Sequence, residues 1–466
     1  MAGEPKTMLP PDEAAAPDKG AKLWRVGTLV YTTGGLVVLF IWLLGGDFAW
    51  AIKDRSASQM VLLMLKKFEA SDFLAGLLVG SLPPAIAIIL GPIISYKSDR
   101  HRGRWGRRIP FLLIPTPIAV ISMAGLAFSP MIGTHLHEIL GARSPGANTL
   151  VLLSFAVFWM LFDFASITAN SIFGALINDV VPVAVLGRFF GAFRALSLIA
   201  AIIFNYWLLG KVEAYHVWIF LGIGILFGIG FTLMCVNVKE GEYPPVPEVP
   251  EGGATGFLAA SLEFLRDCFG KPYYLLAFVT IAVPAIAFLP ANLFNIFFAK
   301  SLNIPMDDLG KWSAVMYFVS FVMSYPLGVL ADRIHPLKLA LATLVIYGLV
   351  SLWGGFFITN QTTFFVAYLA CGILGGVWGT TTASLAQRLF PRDKFAQFLS
   401  AAGIVTCVSQ ILIGPALGVF LDLSGHVYRH TYLVGFGLTV LCLLCALRLF
   451  SMFQALGGPA NYQPPR

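Results

Sequence analysis

Asp99-Arg100-His101-Arg102-Gly103-Arg104-Trp105-Gly106-Arg107-Arg108 is a dense basic loop wedged between two long apolar runs. A degenerate copy, Gly328-Val329-Leu330-Ala331-Asp332-Arg333, lies 233 residues further on, again between apolar runs and followed by Lys338. That offset is half of the 466-residue chain, so the sequence reads as a duplication. An Asp-Arg loop repeated between membrane spans points to a two-halved transporter rather than to an enzyme with one site.

Composition agrees with a membrane environment. Hydrophobic residues make up 58% of the chain and charged residues 12%, against about 25% charge in soluble domains. The apolar runs are long enough to cross a hydrocarbon core, which takes roughly 20 helical residues. Spans in lipid must be helices or a closed barrel, and the absence of period-two alternation rejects the barrel. The runs predict spans at 26–50, 73–96, 109–128, 149–178, 189–210 and 215–237. A second set follows at 273–298, 311–331, 337–358, 363–389, 396–420 and 431–452. The expected fold class is therefore all-α integral membrane, with twelve transmembrane helices as two pseudo-symmetric six-helix bundles. The first span lacks a small-residue cleavage site after a short apolar core and reads as a retained helix.

Residues 1–22, rich in Pro and Ala, read as a disordered cytoplasmic tail. The bundles are expected at 23–237 and 273–452, joined by a Pro- and Gly-rich linker at 238–272 that carries an amphipathic surface helix from Phe257 to Phe269. Residues 453–466 read as a second cytoplasmic tail. Residues 51–70 either extend the first span or form an external surface helix.

Lysine and arginine set the orientation. With twelve spans, 22 of the 31 basic residues fall on the side of the termini and 9 on the other, Lys53 and Arg55 among the latter. Both termini are thus expected in the cytoplasm, and the protein in a cell membrane such as the bacterial inner membrane. The net charge of +7 then reports topology; no nucleic-acid module accompanies it. The six cysteines fall in spans or on the cytoplasmic side, so disulfides are not expected. There is no H-E-x-x-H, no Walker A loop and no G-x-S-x-G elbow. The expectation is no enzyme, no cofactor and no metal, with coupling to an ion gradient and a monomeric state.

Several residues carry chemistry. Gly106 permits the positive φ that a tight reversal needs. Asp99 at a helix end can pair with an arginine or with helix N-terminal amides; the bland alternative is that the basic cluster fixes topology and binds anionic lipid. Asp163 lies near the centre of the fourth span, 16 residues before Asp179, or roughly 24 Å along a helix. A carboxylate at that depth costs at least about 2.5 kcal/mol, which makes it a functional-site candidate with Trp159, Ser166 and Asn170 on its face. Its plain alternative is an interhelical hydrogen bond. Arg194 lies about two turns into the fifth span; it either pairs with Asp163, across roughly 15 Å of straight-helix depth, or snorkels to the cytoplasm.

Asp47, Trp50 and Asp54 share a helical face at the end of the first span. They suit a sugar's hydroxyls and ring, or mark the outer boundary with Trp50 as interfacial anchor. In the second half Asn292, Asn295, Tyr317, Trp378, Thr381, Gln387 and Gln410 are uncharged candidates for a cavity lining.

Ser98-Asp99-Arg100 with Arg104-Trp105-Gly106-Arg107-Arg108-Ile109-Pro110 resembles the signature between helices 2 and 3 of the major facilitator superfamily. The Trp-Gly-Arg-Arg-x-Pro ending resembles the glycoside–pentoside–hexuronide and sucrose–proton symporter branch more than sugar uniporters or drug exporters. The glycine usual four residues before the aspartate is present as Gly328 in the second copy but replaced by Ser95 in the first. Phe158-Trp159-Met160-Leu161-Phe162-Asp163 resembles the fourth-helix segment of sucrose–proton symporters, whose aspartate carries the coupled proton; their downstream arginine is replaced here within Ser171-Ile172-Phe173-Gly174.

The resemblance implies a major facilitator fold taking up a sugar or glycoside with a proton. Asp163 and Arg194 would serve proton coupling. Asp99, Arg100, Gly106, Arg107, Arg108, Asp332 and Arg333 would serve conformational gating. Asp47, Trp50, Trp159, Asn170, Asn292, Asn295 and Trp378 would serve substrate binding. Rival readings on the same fold are a proton-coupled exporter of amphiphiles and a non-transporting assembly or pigment-handling factor. Sodium in place of the proton is a further alternative.

Overall fold

The computed structural model describes residues 23–243, 264–391 and 394–465. The expected N-terminal tail, and the linker from 244 to 263 with the first half of its surface helix, lie outside the described residues. A helix does end at Phe269.

Continuous apolar sequence gives long helices because lipid supplies no partner for a free backbone amide. The first half comprises α1 (Thr33–Lys67), α2 (Asp72–Arg100), α3 (Ile109–Arg143), α4 (Ala147–Val180), α5 (Val183–Ile203) and α6 (Val212–Asn237). The second half comprises α7, α8 (Met306–Ile334), α9 (Pro336–Phe357), α10 (Gln361–Thr381), α11 (Phe395–Leu423) and α12 (His430–Ala455). Helix α7 is two pieces, Pro272–Ile281 and Pro284–Ser301, bent by 48° at the break. Pro284 sits at that bend, where its missing N–H and ring prevent a continuous ladder. Polar side chains start several helices: Thr32 Oγ1 accepts from Gly35 N at 3.1 Å, and Ser71 Oγ from Leu74 N at 3.1 Å.

By length and composition ten helices can cross a membrane, or eleven with bent α7. The run Val183–Asn237 accounts for the twelfth crossing. Its 55 residues would extend roughly 80 Å if straight, far more than a bilayer. Both ends instead lie beside Arg107: Asp179, just before α5, and Glu240, just after α6, each bond to that residue. The chain turns at the 3₁₀ segment Leu209–Lys211, and Tyr215 has non-helical φ and ψ of −121° and 26°.

Within the first half α1 packs on α5 and α6, α3 on α4 and α6, and α2 on α4; within the second, α9 packs on α10 and α12, and α8 on α10. The halves meet along α2–α11 and α5–α8, two interfaces that exchange under the duplication. At Gly76 and Gly414 the helices touch backbone to backbone, and a Cβ on either glycine would collide with the other's carbonyl.

The structure changes three sequence expectations. The first helix does not begin at 26: Trp24–Val26 and Leu29–Tyr31 form an antiparallel hairpin, and helix starts at Thr33. Of the two readings of residues 51–70, extension of the first span holds for 51–67, so Lys53 and Arg55 are helix residues rather than loop charges, and Asp47 is mid-helix rather than a boundary marker. The C-terminal residues also pack back on the second half, with Tyr462 OH donating to Leu389 O at 2.7 Å and Tyr274 OH to Pro465 O at 2.6 Å. All six cysteines are free thiols.

Candidate functional site

The basic loop that separates α2 from α3 is tied down at every turn. Gly106 has φ +95°, and a Cβ there would strike the Glu240 carboxylate. That carboxylate accepts from the backbone N–H of Arg107 (3.0 Å), Arg108 (2.8 Å) and Ile109 (2.8 Å), so it caps the start of α3. Arg107 forks onto Asp179 at 2.8 and 3.0 Å, and Arg108 bridges Asp179 (3.0 Å) to Asp99 (2.6 Å). Tyr243 OH donates to Glu240 at 2.8 Å and stacks on the Arg107 guanidinium. Burial, then the Glu240 and Asp179 carboxylates, push the Tyr243 hydroxyl well up, so it stays a donor. Arg100 stands apart, stacked on Tyr96. The Asp99 carboxylate thus pairs with an arginine, and Glu240, rather than Asp99, takes the helix N-terminal amides. In the second copy Arg333 is exposed; the Asp332 side chain lies outside the described residues.

Across the membrane, the opposite face holds the contacts that join the halves. Asp72, at the start of α2, is fully buried and accepts from His426 Nδ1 (2.7 Å) and Tyr428 OH (3.0 Å). Asp422 in turn accepts from Asp72 N and Phe73 N, each at 2.9 Å, capping α2 from the other half. Lys66 Nζ donates to Tyr428 OH at 2.8 Å, and Lys300 forms an ion pair with Glu213. The two halves are therefore zipped at the Lys66 face.

Between these ends lies a cavity of about 920 Å³ walled by both halves. Helix α1 presents Arg55, Ser58, Gln59 and Leu62, and α5 presents Phe190, Phe193, Arg194 and Ser197, each set at i, i+3, i+4, i+7 spacing. The second half contributes Asn292 and Asn295 from α7, Ser313, Tyr317 and Ser320 from α8, and Tyr368 and Trp378 from α10. Arg55 Nε and Nη2 donate to Ser197 Oγ at 3.2 and 3.1 Å, while Arg194 Nη2 reaches Thr380 Oγ1 of the other half at 2.9 Å. A side chamber of about 340 Å³ adjoins Arg55 and Ser197 and is lined by Asp47, Trp50, Asp54 and Asn170.

Behind that chamber, α1 meets α4 through buried charge. Lys53 is fully buried; its Nζ donates to Ser166 Oγ at 3.0 Å and lies 3.5 Å from the centre of the Trp50 ring. Asp163, one turn before Ser166, is also buried, and its Oδ2 accepts no hydrogen bond; Asp47 Oδ2 is likewise unpartnered. Lys53 and Asp54 are the charged groups acting on Asp163.

The sequence-predicted residues divide accordingly. Asn292, Asn295 and Trp378 line the central cavity with Tyr317, whereas Thr381, Gln387 and Gln410 do not. Asp47, Trp50 and Asn170 line the side chamber. Trp159 lines neither: it is buried, its Nε1 donates to Leu78 O at 2.8 Å, and it stacks on Phe162. Arg194 is not the partner of Asp163; it faces the cavity, and the basic residue buried near Asp163 is Lys53, which forms no ion pair with it within 4.0 Å. Lys53, Arg55, Asp179, Glu240 and Tyr243 were not singled out from sequence. The signal for Lys53 and Arg55 was available in the apolar stretch from Met60 to Leu65, which continues the helix beyond them.

Residues 276–459 match the family model described as Major Facilitator Superfamily. Among solved structures, the chain is similar to a D-xylose–proton symporter, with TM-score 0.64 and 15% identity over 89% of this chain and 97% of that one. It is also similar to a bacterial homologue of the human lysosomal transporter Spinster in an inward-facing, unoccupied conformation, with TM-score 0.63 and 13% identity over 92% and 98%. A nucleoside transporter aligns with TM-score 0.64 and 10% identity over 88% and 100%. The chain is thus a multi-pass, all-helical membrane protein with the major facilitator fold.

Proposed function

We propose that this protein is a secondary active transporter that moves a sugar or glycoside together with a proton by alternating access, as a monomer with both termini in the cytoplasm. The observation that carries the reading is that Lys53 and Asp163 are both buried where α1 meets α4, beside a cavity that both halves wall. An acid and a base held away from water are costly to keep, and a transporter uses such a pair when one member gains and loses a proton during the cycle. Hydroxyl- and ring-binding groups are present on the cavity wall as Gln59, Asn292, Asn295, Tyr317 and Trp378. The symporter among the similar structures and the Trp-Gly-Arg-Arg-x-Pro loop support the sugar branch.

The two six-helix halves, 23–237 and 273–452, rock as units about this site. Zippered contacts at the Lys66 face close the outside in this conformation. The Asp99–Arg108–Asp179–Glu240 cluster braces the cytoplasmic end of the first half, and because all its partners lie there it moves with that half as one piece. Uptake into proteoliposomes under an imposed pH gradient, with a parallel sodium gradient as control, tests the proposal. Accumulation driven by protons and lost in Asp163→Asn supports it; unchanged proton-driven accumulation in that variant contradicts it.

A further inference from the structure

The charge of the solute is written on the cavity wall. Among the described residues that line the central cavity, the charged ones are Arg55 and Arg194, and no carboxylate lines it. Each guanidinium spends its described bonds on neutral hydroxyls, Ser197 and Thr380, and neither forms an ion pair within 4.0 Å among the described residues. They lie within Coulombic reach of each other, so like charges face one cavity. A guanidinium offers five donors in a planar fork suited to a carboxylate or phosphate, and most of these remain unspent at both residues.

The neighbouring ionisable residues are matched in number, three basic and three acidic. Lys53, Arg55 and Arg194 stand against Asp47, Asp54 and Asp163, with Asp47 and Asp54 turned to the side chamber. When Asp163 accepts a proton, one positive charge in a low-dielectric site loses its counterpart. The group best placed to carry that surplus faces the open cavity.

We infer that the transported solute is a hydroxylated monoanion whose acidic group docks between Arg55 and Arg194, with its uncharged part against Asn292, Asn295 and Trp378. This rests on the proton-coupled reading and deepens it: proton and monoanion enter together, so the two add no net charge to the cavity that carries them across the membrane.

The test uses purified full-length protein and matched pairs of probes: glucuronate with glucose, gluconate with sorbitol, and glucose 6-phosphate as the phosphate arm. Binding is read by thermal unfolding and transport by proteoliposome uptake. At least one acidic member is expected to bind at least tenfold more tightly than its neutral partner. Arg194→Gln should lose that preference and Arg194→Lys keep part of it, both eluting as monodisperse as the parent. Carboxylate against phosphate preference identifies the acidic group. Equal or better binding of the neutral partners, or binding of no acidic probe, overturns the inference. Proton-driven uptake of a neutral sugar leaves the symport reading standing and sinks this one. Acidic uptake indifferent to the pH gradient does the reverse.

Discussion

The two halves descend from one pattern yet divide the chemistry unequally. The first half carries Asp47, Lys53, Asp54, Arg55, Asp163 and Arg194 within its long apolar helices. The second half walls the same cavity with amides, hydroxyls and rings, namely Asn292, Asn295, Ser313, Tyr317, Tyr368 and Trp378. Intramembrane charge is costly, so duplication does not preserve it by default. The difference separates ionisable groups in one half from uncharged cavity-lining groups in the other, with Arg194–Thr380 as a polar link between them.

This division can be broken experimentally. Lys53→Met strips the buried Ser166 hydroxyl of its donor and Asp163 of its basic neighbour, and should cost about 1–3 kcal/mol of stability. The double variant Lys53→Met with Asp163→Asn should recover most of that loss while remaining uncoupled. Melting curves of the singles and the double settle whether the pair is one unit; additive losses would show that it is not. A cavity residue of the second half, Asn295→Ala, should instead weaken solute binding by roughly 0.5–2 kcal/mol and leave the proton dependence intact, as read from uptake against pH.

The asymmetry extends to the connecting loops. Gly106→Ala forces an L-residue into φ +95° and against Glu240; the backbone strain alone is about 1–2 kcal/mol, measurable as a lowered unfolding midpoint. The second-half counterpart is sharper: His335, at φ +87°, is itself the turn, and its Nδ1 accepts from Leu337 N at 3.2 Å to start α9. Burial first, then Arg388 and Lys338, lower its pKa to about 4. A folded value below the unfolded one of about 6.5 means that its contribution is complete above pH 6.5. The contribution is lost as pH falls from there toward 4. His335→Gln should flatten that part of the stability profile, the smallest of these effects.

Much of the fold was legible because lipid enforces it. Long apolar runs had to be helices, and where those runs lie the structure has ten helices long and apolar enough to cross a membrane, or eleven with bent α7. The turn inside 183–237 was readable from span length, since 55 residues are far too many for one crossing. What misled was local: Asp47, Lys53, Asp54 and Arg55 look like the end of a span, since four charges rarely lie inside one. Only packing against Trp50, Phe162, Ser166 and Phe227 explains how Lys53 is kept in the interior. The pairing of Arg107 with Asp179 and of its amide with Glu240 joins residues 72 and 133 positions apart, which no local pattern reveals. Cavity-lining amides on α7 and α8 likewise carry no periodic signal that separates them from helix contacts.

The most direct test of the central claim is solute accumulation in proteoliposomes carrying Asp163→Asn, compared with solute exchange across the same membranes without a gradient. The account predicts that the pH gradient no longer drives accumulation while exchange persists. Gradient-driven accumulation equal to that of the parent protein would contradict it.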